Sequence, residues 1–153
     1  MGETPSKFED FFNAQNEVQV LFRHVLEAIL GDEGITVPQA LTLKALKERG
    51  ELCRMSDLAA SCFHSPAAMT GIVDRMIHLG LVERGSDATD RRVILLSLTA
   101  LGTRKLAEVD DKVQHLMRRF FEGTPEKDRA ASLRISTRLK DFLKDEIDAQ
   151  KKT

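Results

Sequence analysis

Apolar residues recur at helical spacing over residues 7–30: Phe8, Phe11, Phe12, Val18, Leu21, Phe22, Val25, Leu26, Ile29 and Leu30. This period predicts a first helix of about six turns, with Gly31 and Gly34 as its C-terminal stop. Thr36-Val37-Pro38-Gln39 follows. Thr36 at the N-cap, an early proline and Gln39 reaching back form a capping box for a second helix. Leu41, Ala45 and Leu46 continue that helix and Gly50 ends it. Leu52-Cys53-Arg54 suits only a single bridging strand. Ser56 then caps a short third helix carrying Leu58, Ala59 and Cys62.

Ser65-Pro66 opens a fourth helix, a good N-cap followed by proline at the first helical position. Its inner face is Met69, Ile72, Val73, Met76 and Leu79, and Gly80 terminates it. Leu81–Arg84 and the branched run Val93–Leu98 read as two strands. Between them Gly85 to Arg92 forms a long polar tip, so the pair is a β-hairpin. Thr99 caps a fifth helix, with Leu101, Leu106, Val109, Val113, Leu116, Met117, Phe120 and Phe121 on its apolar side and Gly123 as its stop. Thr124-Pro125-Glu126 starts a sixth, carrying Leu133, Ile135, Leu139, Phe142, Leu143 and Ile147. The fold class is mainly α with a small β-hairpin.

Composition narrows the function. The chain has 153 residues, 42% hydrophobic and 31% charged, which indicates one ordered domain or a small domain with extensions. It has 8 Phe but no Tyr or Trp, so single-strand binding on aromatic platforms is disfavoured. No apolar run reaches membrane-spanning length and the N-terminus lacks an apolar signal core, so the expected location is the cytoplasm, away from membranes. The net charge of −1 is unevenly spread. Residues 1–40 carry 2 basic and 7 acidic side chains, whereas residues 41–105 carry 10 basic and 7 acidic. A local positive balance, rather than the total, sets the footprint for nucleic acid.

The third helix, a tight turn at Phe63-His64 and the fourth helix form a helix-turn-helix, and a hairpin with an arginine pair at its tip follows at once. A helix of about 10–12 Å diameter fits a major groove about 12 Å wide, and a hairpin beside it places a cation in the narrower minor groove. Around this unit the chain resembles the MarR family of bacterial transcriptional regulators. The resemblance rests on Thr36–Gln39, on Leu58-Ala59 and on Ser65–Met76. It continues through Gly80–Arg84, Asp87–Arg92 and Ser97-Leu98-Thr99.

The resemblance implies a winged helix-turn-helix with N- and C-terminal dimerisation helices. It divides the chain at 1–35 (N-terminal dimerisation helix), 36–99 (DNA-binding domain) and 100–153 (C-terminal dimerisation helices). Independently, the end helices carry more apolar residues than a small winged domain can bury, and such surplus marks an interface. A two-fold dimer reads a pseudo-palindrome in double-stranded DNA. At the wing, the resemblance assigns Arg92 to the minor groove, Asp90 as its orienting partner and Arg91 to phosphate; the plain alternative is a solvated tip with a surface ion pair.

In the fourth helix, Ser65, Pro66, Ala67, Ala68, Thr70 and Gly71 face outward near its start. Thr70 reaches a base edge or phosphate; Ala67 and Ala68 touch thymine methyls, or serve only as helix formers. The family often has a basic residue where Gly71 stands, so specificity leans on the wing and on DNA shape. Ser56 and Arg54 are phosphate donors, Ser56 also acting as an N-cap. Arg84 reaches phosphate from the first wing strand. Asp74 and Arg75 read as an internal ion pair positioning the wing, with base contact by Arg75 as the alternative.

The function expected is a sequence-specific transcriptional regulator, a repressor, released from its operator by a small lipophilic or phenolic effector. The competing reading is a winged-helix module that binds protein, without a steep salt dependence. Enzyme activity is not expected: there is no glycine-rich phosphate loop and no nucleophile motif. No cofactor or metal is expected, and Cys53 and Cys62 read as structural thiols.

Overall fold

The computed structural model describes residues 7–50, 52–62, 64–86 and 93–150. Among the described residues the elements are, in order, α1 (Lys7–Asp32), α2 (Val37–Arg49), β1 (Cys53–Arg54), α3 (Met55–Ser61), α4 (Pro66–His78), β2 (Val82–Ser86), β3 (Ile94–Leu98), α5 (Ala100–Gly123) and α6 (Glu126–Gln150). They group into two compact units, residues 1–113 and 114–153.

In the first unit the strands form one antiparallel sheet of order β1-β3-β2. β3 is central: Cys53 pairs with Leu96 on one side, and Val82 with Leu98 on the other. The expected hairpin is thus present, and the bridging strand at Cys53–Arg54 makes it three-stranded. β2 runs to Ser86, two residues further than the sequence indicated. One core holds the unit together. Leu30, Leu43, Leu46, Leu58, Met69, Met76, Leu96 and Leu106, from α1 through α5, are all essentially inaccessible to solvent. Gln39 and Thr42 are its buried polar residues, and both are satisfied. Gln39 Oε1 accepts from the Thr36 amide at 2.8 Å, which is the reach-back of the capping box, and the Thr42 hydroxyl donates to the Pro38 carbonyl at 2.7 Å.

Helix ends follow local chemistry, with four corrections. Gly31 is helical, and Gly34 alone turns the chain: its φ is 71°, and the Ile35 and Gly34 amides donate back to the carbonyls of Leu30 and Gly31. This is a Schellman closure, and it seats Ile35 on Leu30 in the core. Gly80 closes α4 in the same way, with Leu81 N donating to Met76 O at 2.9 Å. Leu79, expected on the inner face, stays about half exposed because it is the residue that turns outward at this corner. Ser56 is not the N-cap of α3. That position falls on Arg54, because β1 runs directly into the helix and leaves Ser56 inside the first turn. Gly123 is the last residue of α5 rather than the residue beyond it.

The second unit holds the end of α5 and all of α6. Arg129 closes its corner: Nε donates to Thr124 O and Nη2 to Glu122 O, each at 2.9 Å. The guanidinium also lies 4.9 Å from the centre of the Phe121 ring. No residue of α6 is buried, and Leu133, Ile135, Phe142 and Leu143 are each at least half exposed.

Candidate nucleic-acid interface

α3, the short segment from Cys62 to Ser65, and α4 make the helix-turn-helix. The His64 amide donates to Ala59 O at 3.0 Å and so folds the turn back on α3; Phe63 lies outside the described residues. Ser65 Oγ accepts from the Ala68 amide at 3.3 Å, and Pro66 occupies the first helical position, as expected. α4 is strongly two-sided. Met69, Ile72, Val73 and Met76 are buried, which fixes the rotation of the helix about its axis. Ser65, Pro66, Ala67, Ala68, Thr70, Gly71 and Arg75 are consequently all exposed. The Thr70 hydroxyl donates to Pro66 O at 2.9 Å, so it turns back along the helix.

Three described arginines lie on β1, α4 and β2. Arg54, at the start of α3, and Arg75, on α4, are exposed and have no side-chain partner among the described residues. Arg84 is different. Its Nη2 binds Asp74 Oδ1 at 2.5 Å, linking β2 to α4. The expected pair of Asp74 with Arg75 is therefore corrected: adjacent helix positions do not face one another, and Asp74 turns to the strand instead. Strand alternation carries the signal that sequence reading missed. Arg84 lies on the same side of β2 as Val82, the side that enters the core beside α4. Ser56 is exposed, and its hydroxyl lies 3.5 Å from Asp57 Oδ1. Asp90, Arg91 and Arg92 lie outside the described residues.

Among the shallow cavities lined by described residues of the first unit, two lie between elements. One, of about 570 Å³, is lined by Lys47, Gly50, Leu52, Glu83, Ser97, Leu98 and Thr103. The other, of about 360 Å³, lies where α1 meets α2 and is lined by Glu27, Leu30, Gly31, Ile35, Thr36, Val37 and Pro38. Burial pushes both the Cys53 and the Cys62 thiol up from their ordinary pKa, Cys53 being buried and Cys62 half-buried. Among the described residues, no group of three or more His, Cys, Asp and Glu side chains is arranged to hold a metal ion. Nor is any described helix long and apolar enough to cross a membrane.

Known proteins share this arrangement. A family model described as MarR family matches residues 33–93, the segment from the end of α1 to the start of β3. The HTH-type transcriptional repressor MdtR of Bacillus subtilis is 31% identical over 128 residues, covering 82% of each chain. The chain belongs to the MarR family. Solved structures share the fold. The YusO protein of Bacillus subtilis is 28% identical with a TM-score of 0.73, covering 89% of this chain and 98% of its own. A MarR family protein from Bacillus stearothermophilus superposes with a TM-score of 0.81 at 23% identity, over 94% of this chain and 99% of its own, a likeness of fold. As a MarR-family chain it is a DNA-binding regulator of transcription, and the three-stranded sheet with α2–α4 is its winged helix-turn-helix.

Proposed function

We propose that the chain is a homodimeric repressor whose two copies of α4 enter successive major grooves of a pseudo-palindromic operator, with half-sites about 34–36 Å apart. The observation that carries this reading is the two-sidedness of α4. Its core face is sealed, and its exposed face from Ser65 to Gly71 is small and uncharged, with Arg75 exposed one turn further on. A helix of small residues approaches base edges closely. Ala67, Ala68 and the Thr70 methyl offer apolar contact to thymine, while Arg54, Ser56, Ser65 and Arg75 reach phosphates. Arg92, oriented by Asp90 and flanked by Arg91, is assigned to the minor groove from the wing tip.

Dimerisation by the end helices is supported by what they leave uncovered. In the first unit, Phe8, Phe12, Val18 and Leu21 of α1 are each more than half exposed. In the second, so are Phe120, Phe121 and Leu133. Apolar surface on this scale marks a protein interface. Repression is supported by the similarity to a relative named as a repressor. Release by a small lipophilic or phenolic effector is the corresponding switch. The cavity where α1 meets α2 has the volume of a small-molecule site and apolar walls in Leu30, Ile35 and Val37.

The test selects duplexes from a random-sequence pool with the wild-type chain, then measures affinity across a salt series for wild type, Ala67→Glu and Arg92→Ala. Wild type is expected to enrich a near-palindrome and to bind it more weakly as salt rises. Both variants are expected to lose at least about tenfold in affinity, the cost of one good base contact. Failure to enrich any sequence, or unchanged binding by Ala67→Glu, overturns the reading.

A further inference from the structure

The turn between α1 and α2 holds one carboxylate in a way its neighbours do not require. Glu33 is the last residue before Gly34 and caps the C-terminus of α1. Its side chain is only 11% exposed, and it accepts from Lys105 Nζ at 2.7 Å and from Lys112 Nζ. Lys105 also pairs with Glu108 at 3.3 Å, so four alternating charges, Lys112–Glu33–Lys105–Glu108, run along the first half of α5. The corner is already anchored in depth, because Leu30 and Ile35 on either side of Glu33 are buried at 1% and 5% exposure. Apolar anchoring of that kind is non-directional, and the backbone hydrogen bonds of the corner stay within residues 30–35, so neither ties α1 to α5 by direction. Two cations seven residues apart on α5, about 10 Å along its axis, each take one oxygen of the same carboxylate and so resist a swing of α1 against α5.

We propose that Glu33 is a positioning residue that fixes the angle between α1 and the winged helix-turn-helix, and through it the separation of the two recognition helices. This rests on the dimeric operator reading given above. The path is continuous within the first unit. Glu33 caps the end of α1; it holds α5 at Lys105 and Lys112; and α5 is seated by its first turn on Leu81, whose amide bonds back to Met76 of α4. α1 carries much of the exposed apolar face assigned to the dimer. A change of its swing angle at Glu33 therefore moves the two copies of α4 apart or together without altering either one.

The experiment uses the full chain as wild type, Glu33→Gln and Lys112→Met. Glu33→Gln keeps the shape and removes the charge; Lys112→Met removes one arm and leaves the Lys105 pair. Each is measured against the duplex that wild type selects from a random pool, resynthesised with its half-sites moved in single-base-pair steps, and against a single half-site. Glu33→Gln is expected to weaken binding at the optimal spacing by at least about fivefold, the low end of measured coupling between sites. It is also expected to flatten the dependence on spacing while leaving single-half-site binding unchanged. Lys112→Met should fall between the two. A merely structural role lowers the melting temperature without changing the spacing profile. If wild type has an optimum that both variants retain, the role of Glu33 is overturned and the operator reading stands. If wild type has no spacing optimum, the operator reading fails and this inference fails with it.

Discussion

Gly102 and Leu81 are in backbone contact: a Cβ on Gly102 would lie 2.0 Å from the carbonyl oxygen of Leu81. The contact lets the first turn of α5 sit on the corner that closes α4. Thr99 joins the two sides. Its amide donates to Leu81 O, its hydroxyl donates to Gly80 O at 2.6 Å, and the same hydroxyl accepts from the Gly102 amide at 3.0 Å.

Gly102→Ala should therefore destabilise the chain by about 1–3 kcal/mol or more, the usual cost of forcing atoms into a packed site. Gly71→Ala is the control. It is also helical, nothing lies within 4 Å of its added Cβ, and the gain in helix propensity should stabilise by about 0.5–1 kcal/mol. Urea unfolding of the two variants reads both signs; equal effects at the two sites would contradict the contact.

Arg84 is engaged by Asp74, whereas Arg54 and Arg75 have no such partner among the described residues. Each phosphate neutralised adds about 0.9 to the slope of log affinity against log salt. Arg54→Met and Arg75→Met should each reduce the slope by about that amount. Arg84→Met should leave it unchanged, and Asp74→Asn, by releasing Arg84, should steepen it. The Asp74 pair is roughly half exposed, so its loss should cost less than about 1 kcal/mol of stability. Anisotropy titrations over a salt series distinguish these outcomes.

Arg129 binds the Glu122 carbonyl in the last turn of α5, where the helix leaves acceptors without partners, and the Thr124 carbonyl just beyond it. Arg129→Met should cost about 1–3 kcal/mol, the range for hydrogen bonds made by a charged donor. Arg129→Lys should recover less than half of that, because an ammonium lacks the planar fork that reaches both carbonyls and stacks on Phe121. Thermal melts followed by circular dichroism give the order wild type, lysine, methionine.

Hydrogen bonds from Lys105 and then Lys112 lower the pKa of Glu33 from 4.5 to about 2. A carboxylate with a depressed folded-state value stabilises fully above its unfolded value and loses that contribution as pH falls through the folded one. The stability gap between wild type and Glu33→Gln should thus be constant above about pH 5 and should close between 4.5 and about 2. Urea midpoints for the two proteins across that range test it, and a gap that persists at the acid end would rule out the ion pairs as its source.

Much of the fold was legible because it is written locally. The periods of α1, α4 and α5, the Ser65-Pro66 start and the glycine at position 80 act over four residues or fewer, the reach of a helical hydrogen bond and of a cap. The outward face of α4 followed from the same period. Where β1 ran straight into α3, a tertiary constraint overrode the local preference of Ser56 for a cap.

Partner choice among charges was not legible. Asp74 has Arg75 beside it in sequence and Arg84 beside it in space, and only the packing of β2 on α4 selects between them. Glu33 meets Lys105 and Lys112 across 72 and 79 residues, and no local pattern singles out those two among the lysines of the chain. The need for glycine at position 102 arises from the carbonyl of Leu81, 21 positions earlier in the chain. The sequence by itself determined which segments are helix or strand and which faces are apolar, because those properties depend on near neighbours. The tertiary structure decided which distant groups meet and which apolar faces stay uncovered, because both depend on where the chain returns.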